Sequence, residues 1–246
     1  MRVLIVVPAF NEAAALGGLL AEIRALTLAD TELATVVVDD GSRDRTAEIS
    51  RAHSVRTLVL CGNLGIGGAV QSGLRLAARE HFDFAVQIDG DGQHPPGELA
   101  RLLDAARAEP RPDLLVGTRY RVEGDNYRST LLRRLGSGWL KLVLRLVAGV
   151  RVSDPTSGFR LYGPRALRLF EATYPYDFPE PESLAIARKH GLRITETPVA
   201  MRERQGGSSS IAGLATLYYM LKVTIAIVLS YTRARRDAED DDATGG

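Results

Sequence analysis

The sequence has little of what disulfide-linked, thiolate-metal and nucleic-acid-binding proteins require. It contains one cysteine, Cys61, and four scattered histidines. One cysteine cannot form a disulfide within the chain or build a thiolate metal site by itself. Lys and Arg number 31 against 30 Asp and Glu, a formal net charge of +1. Because nucleic-acid binding rests on a basic excess that faces phosphate, we expect no nucleic-acid partner.

Long apolar runs are also scarce near the beginning of the sequence. Residues 3–7 are apolar, but this run is too short for a secretory signal and no cleavage pattern follows it. We therefore expect a buried strand there, and a domain on the cytosolic side of any membrane. The 45% apolar content and small net charge argue against disorder.

Apolar runs alternate with stretches of helical spacing. The runs are residues 3–7, 35–38, 57–60, 84–88 and 114–116, and the helical stretches between them are about 13–26, 44–53, 68–80 and 97–108. This order predicts an α/β fold with a mostly parallel central sheet of nucleotide-binding type. Ligands of such sheets bind where strands end, so the loops after the runs are candidate sites.

An acidic triplet follows the fourth run. Asp89 and Asp91 are spaced i and i+2, so both carboxylates can approach one hard cation, and Gln93 continues the phase with an amide oxygen. Oxygen ligands without a His and Cys cluster favour Mg²⁺ or Mn²⁺ over zinc. The triplet therefore predicts a metal site at Asp89, Asp91 and Gln93.

Two further loops offer polar or flexible residues. Asp39 and Asp40 are placed to accept hydrogen bonds from a ribose or a base. Ser42 or Asp44 could instead cap the next helix, and both roles are compatible. The glycines at 65, 67 and 68 either admit a ligand or are ordinary turn glycines, and they lack dinucleotide and P-loop spacing.

The segment 128–151 is basic and amphipathic. It has six basic and no acidic residues, and its apolar side chains share one helical arc: Leu132, Leu135, Trp139, Leu142, Val143 and Leu146. One or two helices are expected, with a possible break at residues 136–138. The basic side would suit anionic lipid headgroups, or it is the solvated face of a helix packed on the domain.

The last apolar block, residues 211–231, is long enough to span a bilayer. Its nine Leu, Ile and Val residues favour insertion by about 3 to 5 kcal/mol, whereas Lys222 near the centre costs about 2.5 to 3.5 kcal/mol. We therefore favour a C-terminal helix over 211–236 that lies at the membrane interface or mediates a homo-oligomer. Residues 237–246 are acidic and are expected to be disordered.

Seven motifs in order carry a resemblance to a known family. They read VPAFNE, VDDGS, NLGIGGA, DGDGQHPP, GTRY, SDPTSGFR and MRER. The series resembles family 2 glycosyltransferases, and within them the dolichol-phosphate and polyprenyl-phosphate sugar synthases. It covers residues 2–211, so we expect one catalytic domain over 1–210.

The resemblance implies a GT-A fold, a GDP- or UDP-hexose donor, a divalent cation (Mg²⁺ or Mn²⁺) and inversion at the anomeric carbon. The implied donor-binding residues are Pro8, Phe10, Glu12, Asp39, Asp40, Gly65 and Asp89. The implied acceptor-phosphate residues are Arg119, Arg133, Arg134, Ser137 and Ser157. Asp91, Arg202 and Asp154 are the catalytic candidates, with Arg202 and the glycine-serine loop 206–210 closing over the donor phosphates.

Two departures from the family pattern are visible. The usual Asp-Ala-Asp is Asp-Gly-Asp here, and the four-helix transmembrane annex of some relatives has no counterpart, which leaves open whether a separate membrane protein completes the acceptor site.

The choice of acceptor follows from charge. A lipid phosphate is already anionic and needs positive residues rather than a strong base, and segment 128–151 supplies them. The function favoured is transfer to a polyprenyl phosphate by a peripheral protein at the cytosolic face of the plasma membrane. The alternative is a soluble enzyme that acts on a hydroxyl, for which Asp154 is the candidate base; Asp154 could equally start a turn.

Overall fold

The computed structural model describes the backbone of residues 1–120, 131–202 and 214–243. Side chains are described in the same ranges except at 131–135, 214–217, 219 and 234–243. The side chains of Arg133 and Arg134 and the loop 206–210 therefore lie outside the described residues. Within these ranges the chain forms seven strands in one sheet and eight α-helices.

The strands are β1 (Arg2–Ala9), β2 (Glu32–Asp39), β3 (Arg56–Val59), β4 (Phe84–Gln87), β5 (Leu114–Thr118), β6 (Arg160–Tyr162) and β7 (Ile194–Pro198). The helices are α1 (Ala13–Arg24), α2 (Thr46–Ala52), α3 (Gly65–Arg79), α4 (Leu99–Arg107), α5 (Leu131–Ala148), α6 (Pro164–Thr173), α7 (Pro179–Lys189) and α8 (Leu214–Ala243). A short 3-10 turn at Pro96–Glu98 precedes α4.

The sheet has the order β3-β2-β1-β4-β6-β5-β7. All pairs are parallel except those of β6, which runs antiparallel to both β4 and β5. The five runs predicted as strands are confirmed as β1 to β5. The sequence analysis missed β6 and β7, because β6 has only three residues and β7 reads Ile-Thr-Glu-Thr-Pro, without an apolar run.

Alternation along β1 separates the two layers of the core. Leu4 and Val6 pack in one cluster with α3, α5, α6, α7 and α8, whereas Val3, Ile5 and Val7 face α1 and α4 in the other. Both faces of the central strand are therefore covered, as a parallel sheet requires.

Helix α5 is one continuous helix, without a break at residues 136–138. Its buried side chains are Leu140, Val143, Leu144 and Ala148, which pack in the cluster that includes α7 and α8. Three members of the predicted apolar arc, Trp139, Leu142 and Leu146, are instead exposed. The helix is apolar over more of its circumference than one packing face can cover, so the domain buries one stripe and leaves the other in solvent.

Helix α8 packs on the domain through Val223 and Ile227, both fully buried. Hydrogen bonds from the Lys189 amino group to the Tyr231 carbonyl (2.5 Å) and from the Ser230 hydroxyl to Glu182 tie it to α7. It continues to Ala243, into the segment predicted to be disordered. Extending an existing helix costs far less than nucleating one, and Ala, Glu and Asp residues do not terminate it.

No helix in the described ranges is both long and apolar enough to cross a bilayer.

Gly73 on α3 lies directly over β1, and the contact makes a test of this packing. A Cβ added to Gly73 would lie 2.2 Å from Val6 Cγ1 and 2.8 Å from Val6 Cγ2. Gly73→Ala should therefore force α3 and β1 apart and lower the free energy of unfolding by about 1 to 3 kcal/mol. Denaturant unfolding measures the change.

Gly18→Ala is the matched control, because Gly18 also lies in a helix but has no atom within 4 Å of the added Cβ. It should leave the stability equal or slightly raised. A Gly73→Ala protein as stable as the Gly18→Ala protein would contradict the close approach of α3 and β1.

Candidate active site

The loops after β1 and β2 are fastened to each other at the carboxyl edge of the sheet. The Asn11 N–H donates to Ser42 Oγ at 2.9 Å, and the Arg43 N–H donates to Asn11 Oδ1 at 2.9 Å. Asn11 has a φ of 56°, a left-handed conformation that Asn tolerates better than most residues. These bonds fix the loop that carries Phe10 and Glu12.

Asp44 binds the start of both neighbouring helices. Its Oδ1 accepts the Thr46 N–H at 2.9 Å and its Oδ2 accepts the Ala13 N–H at 3.1 Å. Burial acts to raise the pKa of Asp44, but the hydrogen bonds from Thr46 and Ala13 outweigh it and hold the pKa below the ordinary value. Arg45 occupies the N-cap position of α2, and of the two residues considered as caps it is Asp44 that bonds a backbone N–H at the start of this helix.

Asp40 performs the same task for α3. Its two carboxylate oxygens accept the N–H groups of Leu64 at 2.7 Å and Gly65 at 2.8 Å. Burial raises the pKa of Asp40 despite these bonds. Gly65 has a φ of +79°, so the turn into α3 requires glycine there. The buried Asp39 accepts the Ser42 N–H at 3.1 Å.

Asp89 follows β4, where the chain continues beside β1. The Ile88 N–H donates to the Val6 carbonyl at 3.0 Å and the Gly90 N–H donates to the Pro8 carbonyl at 3.1 Å. Asp89 Oδ1 accepts a hydrogen bond from Gln87 Nε2 at 2.9 Å. Asp91 Oδ1 accepts the Gln93 N–H at 3.0 Å, which closes the turn after Asp91.

His94 packs against this turn from the core side of the sheet end. It is buried, and its Nδ1 accepts the Asp89 N–H at 3.2 Å. Its ring stacks on Phe159 at a centroid distance of 5.2 Å. An Nδ1 that accepts carries no proton, so the neutral ring is protonated at Nε2. His94 therefore has a structural role in the loop that carries Asp89.

A cleft of about 280 Å³ opens between these strand ends. It is lined by Pro8, Ala9, Phe10, Glu12, Asp40, Ile66, Ala69, Asp89, Gly90 and Asp91. Six of the predicted site residues are thus brought together: Pro8, Phe10, Glu12, Asp40, Asp89 and Asp91. Four of them are carboxylates, an arrangement that favours a bound cation before an anionic ligand can enter.

No three Asp, Glu, His or Cys side chains converge as a metal centre in the described part of the chain. The oxygen donors that fit a hard cation are the carboxylates of Asp89 and Asp91, with coordination left over for ligand oxygens. The Gln93 side chain does not line the cleft. The main-chain carbonyl of Gln93 accepts the Arg202 N–H at 2.9 Å, which places Arg202 beside the triplet.

The Arg202 side chain turns toward α1. Its Nη1 donates to Glu22 Oε1 at 2.7 Å, and this bond raises the guanidinium pKa above its ordinary value. Both side chains are about two-fifths exposed, at 42% and 44%. Because an exposed ion pair of this kind contributes little stability, the Arg202 guanidinium remains accessible to an anion of higher charge.

Asp154 lies outside the cleft lining, fully buried beneath Arg119. Arg119 Nε donates to Asp154 Oδ2 at 2.6 Å. Glu196 Oε1 accepts the N–H groups of Ser153 at 2.7 Å and Asp154 at 3.0 Å. Asp154 therefore belongs to a buried framework that orients Arg119.

Ser157 stabilises the backbone of the segment that follows Asp154. It is buried, and its Oγ accepts the Phe159 N–H at 3.3 Å. The structure does not bring Ser157 or Asp39 into the cleft lining. Ser137, on α5, has an enclosed hydroxyl oxygen without a hydrogen-bond partner among the described residues.

Four cleft residues were not predicted from the sequence: Ala9, Ile66, Ala69 and Gly90. Ile66 and Ala69 stand in the glycine-rich motif at the start of α3, so their neighbours were the available signal. Gly158 was not predicted either, although it stands in the motif SDPTSGFR; only the structure shows that it lies against the Asp89 carboxylate.

A mostly parallel α/β sheet with paired carboxylates in a strand-end cleft is typical of proteins that bind a nucleotide through a divalent cation. Residues 4–170 match the model of the family described as "Glycosyl transferase family 2". The chain belongs to this family, and the GT-A fold and glycosyltransferase class expected from the motifs are confirmed.

Two relatives with named activities are similar to this chain over most of its length. The chain is 33% identical over 223 residues to an undecaprenyl-phosphate mannosyltransferase of Micrococcus luteus, covering 87% of this chain and 88% of that protein. It is 31% identical over 233 residues to a polyprenol monophosphomannose synthase of Mycolicibacterium smegmatis, covering 90% and 85%.

Among solved structures, the fold resembles glucosyl-3-phosphoglycerate synthase from Mycobacterium tuberculosis, crystallised with Mn²⁺, UDP and glucosyl-3-phosphoglycerate. The TM-score is 0.70 at 22% identity, covering 94% of this chain and 79% of the other. This likeness shows the fold alone.

Gly158→Ala tests the position of Asp89 in the cleft. The added Cβ would lie 2.5 Å from Asp89 Oδ2 and 3.0 Å from Gln87 Nε2. Because a carboxylate at the end of a side chain moves more easily than the backbone, the fold should survive while Asp89 is displaced. We expect the rate of sugar transfer to fall on the order of 100-fold, measured as initial velocity.

Gly97→Ala provides the control, since Gly97 lies in the turn after His94 with open space around its Cα. It should keep the rate within about twofold of the wild type. Equal rates for the two variants would contradict the close contact of Gly158 with Asp89.

Proposed function

We propose that this protein transfers a hexose from GDP- or UDP-hexose to a polyprenyl phosphate, with inversion at the anomeric carbon, at the cytosolic face of the plasma membrane. The observation that carries the proposal is the cleft in which Asp89 and Asp91 lie beside Phe10. The relatives from Micrococcus luteus and Mycolicibacterium smegmatis, named for polyprenyl-phosphate mannosyl transfer, support the acceptor.

The donor fits the cleft by the chemistry of its walls. Phe10 is 42% exposed at the rim, where an aromatic face can cover a base. Asp39 is held at the end of β2 with one oxygen on Ser42, and we assign it to the nucleoside with Pro8 and Glu12. Asp40 is better assigned to fixing α3, because both of its oxygens bind backbone N–H groups.

Asp89 and Asp91 are the residues that would hold Mg²⁺ or Mn²⁺, with Gln93 at the edge of the site. A divalent cation there would neutralise the charge that develops on the departing nucleoside diphosphate. Arg202, placed beside Gln93 by its backbone, can exchange its exposed pairing with Glu22 for the donor phosphates.

The acceptor side is cationic. Arg119 is oriented by the buried Asp154, so its guanidinium is held in place before an acceptor arrives. The enclosed Ser137 hydroxyl on α5 can donate to a phosphate oxygen. We propose that these two residues, with Arg133, Arg134 and Ser157 as the remaining predicted members, hold the acceptor phosphate in line with the departing diphosphate.

A hydroxyl acceptor is less well supported. It requires a general base within reach of the acceptor, and the candidate was Asp154. Asp154 is fully buried, is paired with Arg119 at 2.6 Å and does not line the cleft. A phosphate oxygen needs no such base, which favours the lipid phosphate.

Membrane contact is proposed through an apolar ridge formed by exposed side chains of α5 and α8. Its members are Trp139, Leu142, Leu146, Tyr218, Leu221, Ile225, Val228 and Leu229. Trp139 Nε1 donates to Thr224 Oγ1 at 2.9 Å, which joins the two halves. Arg145, Lys222 and Arg233 are exposed on the same helices, so an anionic bilayer surface is the occupant that matches both the apolar and the basic side chains.

The reaction is tested with radiolabelled GDP- and UDP-hexoses and a polyprenyl phosphate in detergent. We expect label to enter the organic phase, to stop with EDTA and to resume with Mg²⁺ or Mn²⁺. Asp91→Asn should lower the rate on the order of 100-fold or more, because the leaving charge loses its neutralisation. NMR of the product checks that the anomeric configuration is inverted.

Asp104→Asn is the matched control, since Asp104 is an exposed carboxylate on α4 paired only with Arg107. Its rate should equal that of the wild type. Full activity in EDTA would contradict the metal assignment, and label confined to water-soluble products would contradict the lipid acceptor.

The apolar ridge is tested by vesicle sedimentation with phosphatidylglycerol and phosphatidylcholine. Leu146 is 74% exposed, so Leu146→Asp should leave the fold intact while removing an apolar side chain from the ridge. We expect vesicle binding to weaken about tenfold or more, since full burial of a leucine contributes about 1.5 to 3 kcal/mol.

Val59→Asp, on β3, is the comparison variant because Val59 is also exposed, at 47%, but lies outside the ridge. It should bind vesicles as the wild type does. Equal binding by all three proteins would refute the ridge as the membrane contact. A lower sedimentation coefficient of Leu146→Asp without vesicles would identify a second copy of the chain as the occupant.

A further inference from the structure

A chain of buried polar side chains leads from Asp89 into the core, away from the cleft. Gln87 Nε2 donates to Asp89 Oδ1 at 2.9 Å, and the Tyr162 hydroxyl donates to Gln87 Oε1 at 3.2 Å. The hydroxyls of Tyr162 and Tyr174 lie 3.0 Å apart. Gln87, Tyr162 and Tyr174 are all buried, so the protein itself satisfies these groups.

The direction of each hydrogen bond follows from the chemistry of the amide. A carboxylate only accepts, so the Gln87 NH₂ group must face Asp89 and its carbonyl oxygen must face Tyr162. The Tyr162 proton is then used on Gln87, which leaves Tyr174 as the donor to the Tyr162 oxygen. Burial raises the pKa of Tyr162 to about 12 and that of Tyr174 above its ordinary value, so both phenols keep their protons.

Gln87 lies in β4 between Val6 of β1 and Arg160 of β6, and the neighbouring β4 residues Ala85 and Val86 are buried apolar side chains. A buried amide is tolerated only when both of its ends are bonded. The bonds of Gln87 run to Tyr162 and to Asp89, which lines the cleft.

The second carboxylate oxygen of Asp89, Oδ2, has different surroundings from Oδ1. Asp89 Oδ2 lies 3.7 Å from His94 Nδ1, but that nitrogen already accepts the Asp89 N–H and carries no proton to donate. Only a glycine at 158 leaves room for Oδ2, since a Cβ there would lie 2.5 Å from it. One oxygen of Asp89 therefore accepts a hydrogen bond from the core side, and the other accepts none among the described residues.

We propose that Gln87 is a positioning residue, oriented by Tyr162 and Tyr174, that holds Asp89 Oδ1 so that Oδ2 is the oxygen offered to the divalent cation. This inference rests on the proposed cation site. Residues that orient a ligand in this way change metal affinity about 10- to 100-fold when they are removed.

The experiment measures Mn²⁺ binding directly. Mn²⁺ is titrated into the full chain alone and with GDP or UDP present, and free Mn²⁺ is read by electron paramagnetic resonance. Gln87→Leu should weaken Mn²⁺ binding about tenfold or more. Tyr162→Phe, which keeps the ring and removes the hydroxyl, should weaken it by a smaller factor, and thermal unfolding confirms that each variant is folded.

The double variant separates orientation from general loosening of the core. If Tyr162 acts through Gln87, then Tyr162→Phe has no further effect on Mn²⁺ affinity in the Gln87→Leu background. If the double variant instead loses Mn²⁺ affinity by the product of the two single losses, the proposal that Tyr162 acts through Gln87 is overturned. Tyr176→Phe is the matched control, because the Tyr176 hydroxyl donates to another glutamine amide, Gln71 Oε1, at 2.9 Å. It should leave Mn²⁺ affinity unchanged.

The outcomes distinguish this inference from the proposed function. Wild-type protein that binds no Mn²⁺ in any of the three conditions would overturn both. Wild-type binding with unchanged affinity in Gln87→Leu and Tyr162→Phe would overturn the role of Gln87 and leave the cation site standing.

Discussion

The site depends on how one carboxylate is held at the end of a buried strand. Two hydrogen bonds hold Asp89: Gln87 donates to one carboxylate oxygen, and His94 accepts the main-chain N–H. The lack of a side chain at Gly158 leaves room for the other oxygen. A carboxylate in such a setting cannot rotate freely, so its direction is decided by the fold before any ligand arrives. Placing Asp91 two residues further then brings a second negative charge into the same cleft.

Carboxylates in this protein have two distinct tasks, and hydrogen bonding tells them apart. The carboxylates of Asp40 and Asp44 accept hydrogen bonds from backbone N–H groups at helix starts. A negative charge there is stabilised by the positive end of the helix dipole. Asp154 is committed to Arg119. Asp89 lines the cleft and accepts a hydrogen bond from the Gln87 side chain at one carboxylate oxygen. The sequence alone does not distinguish these acidic residues; the hydrogen-bond donors near each carboxylate in the folded structure do.

Much of this was predictable from the sequence, for identifiable reasons. β1 to β5 are apolar runs with turn residues after them, and motifs placed directly after such strands had to meet at one edge of the sheet. β6 was not predictable, since three residues carry no periodic pattern. The pairing of Arg119 with Asp154 and the contact of Gly158 with Asp89 join residues far apart in sequence, and spacing rules do not reach them. The division of the apolar arc of α5 into a buried and an exposed stripe was not predictable either, because it depends on how much of the helix the domain covers.

Helix α8 is anchored on one side through Val223 and Ile227 and by its bonds to α7, while its other side carries exposed apolar residues. If the apolar ridge contacts a bilayer as proposed, a helix fastened in this way would enter the lipid only together with the whole domain. Its depth of immersion would then be limited to about half a helix diameter, roughly 5 Å. The distance between the cleft and the lipid headgroups would in that case be set by the fold.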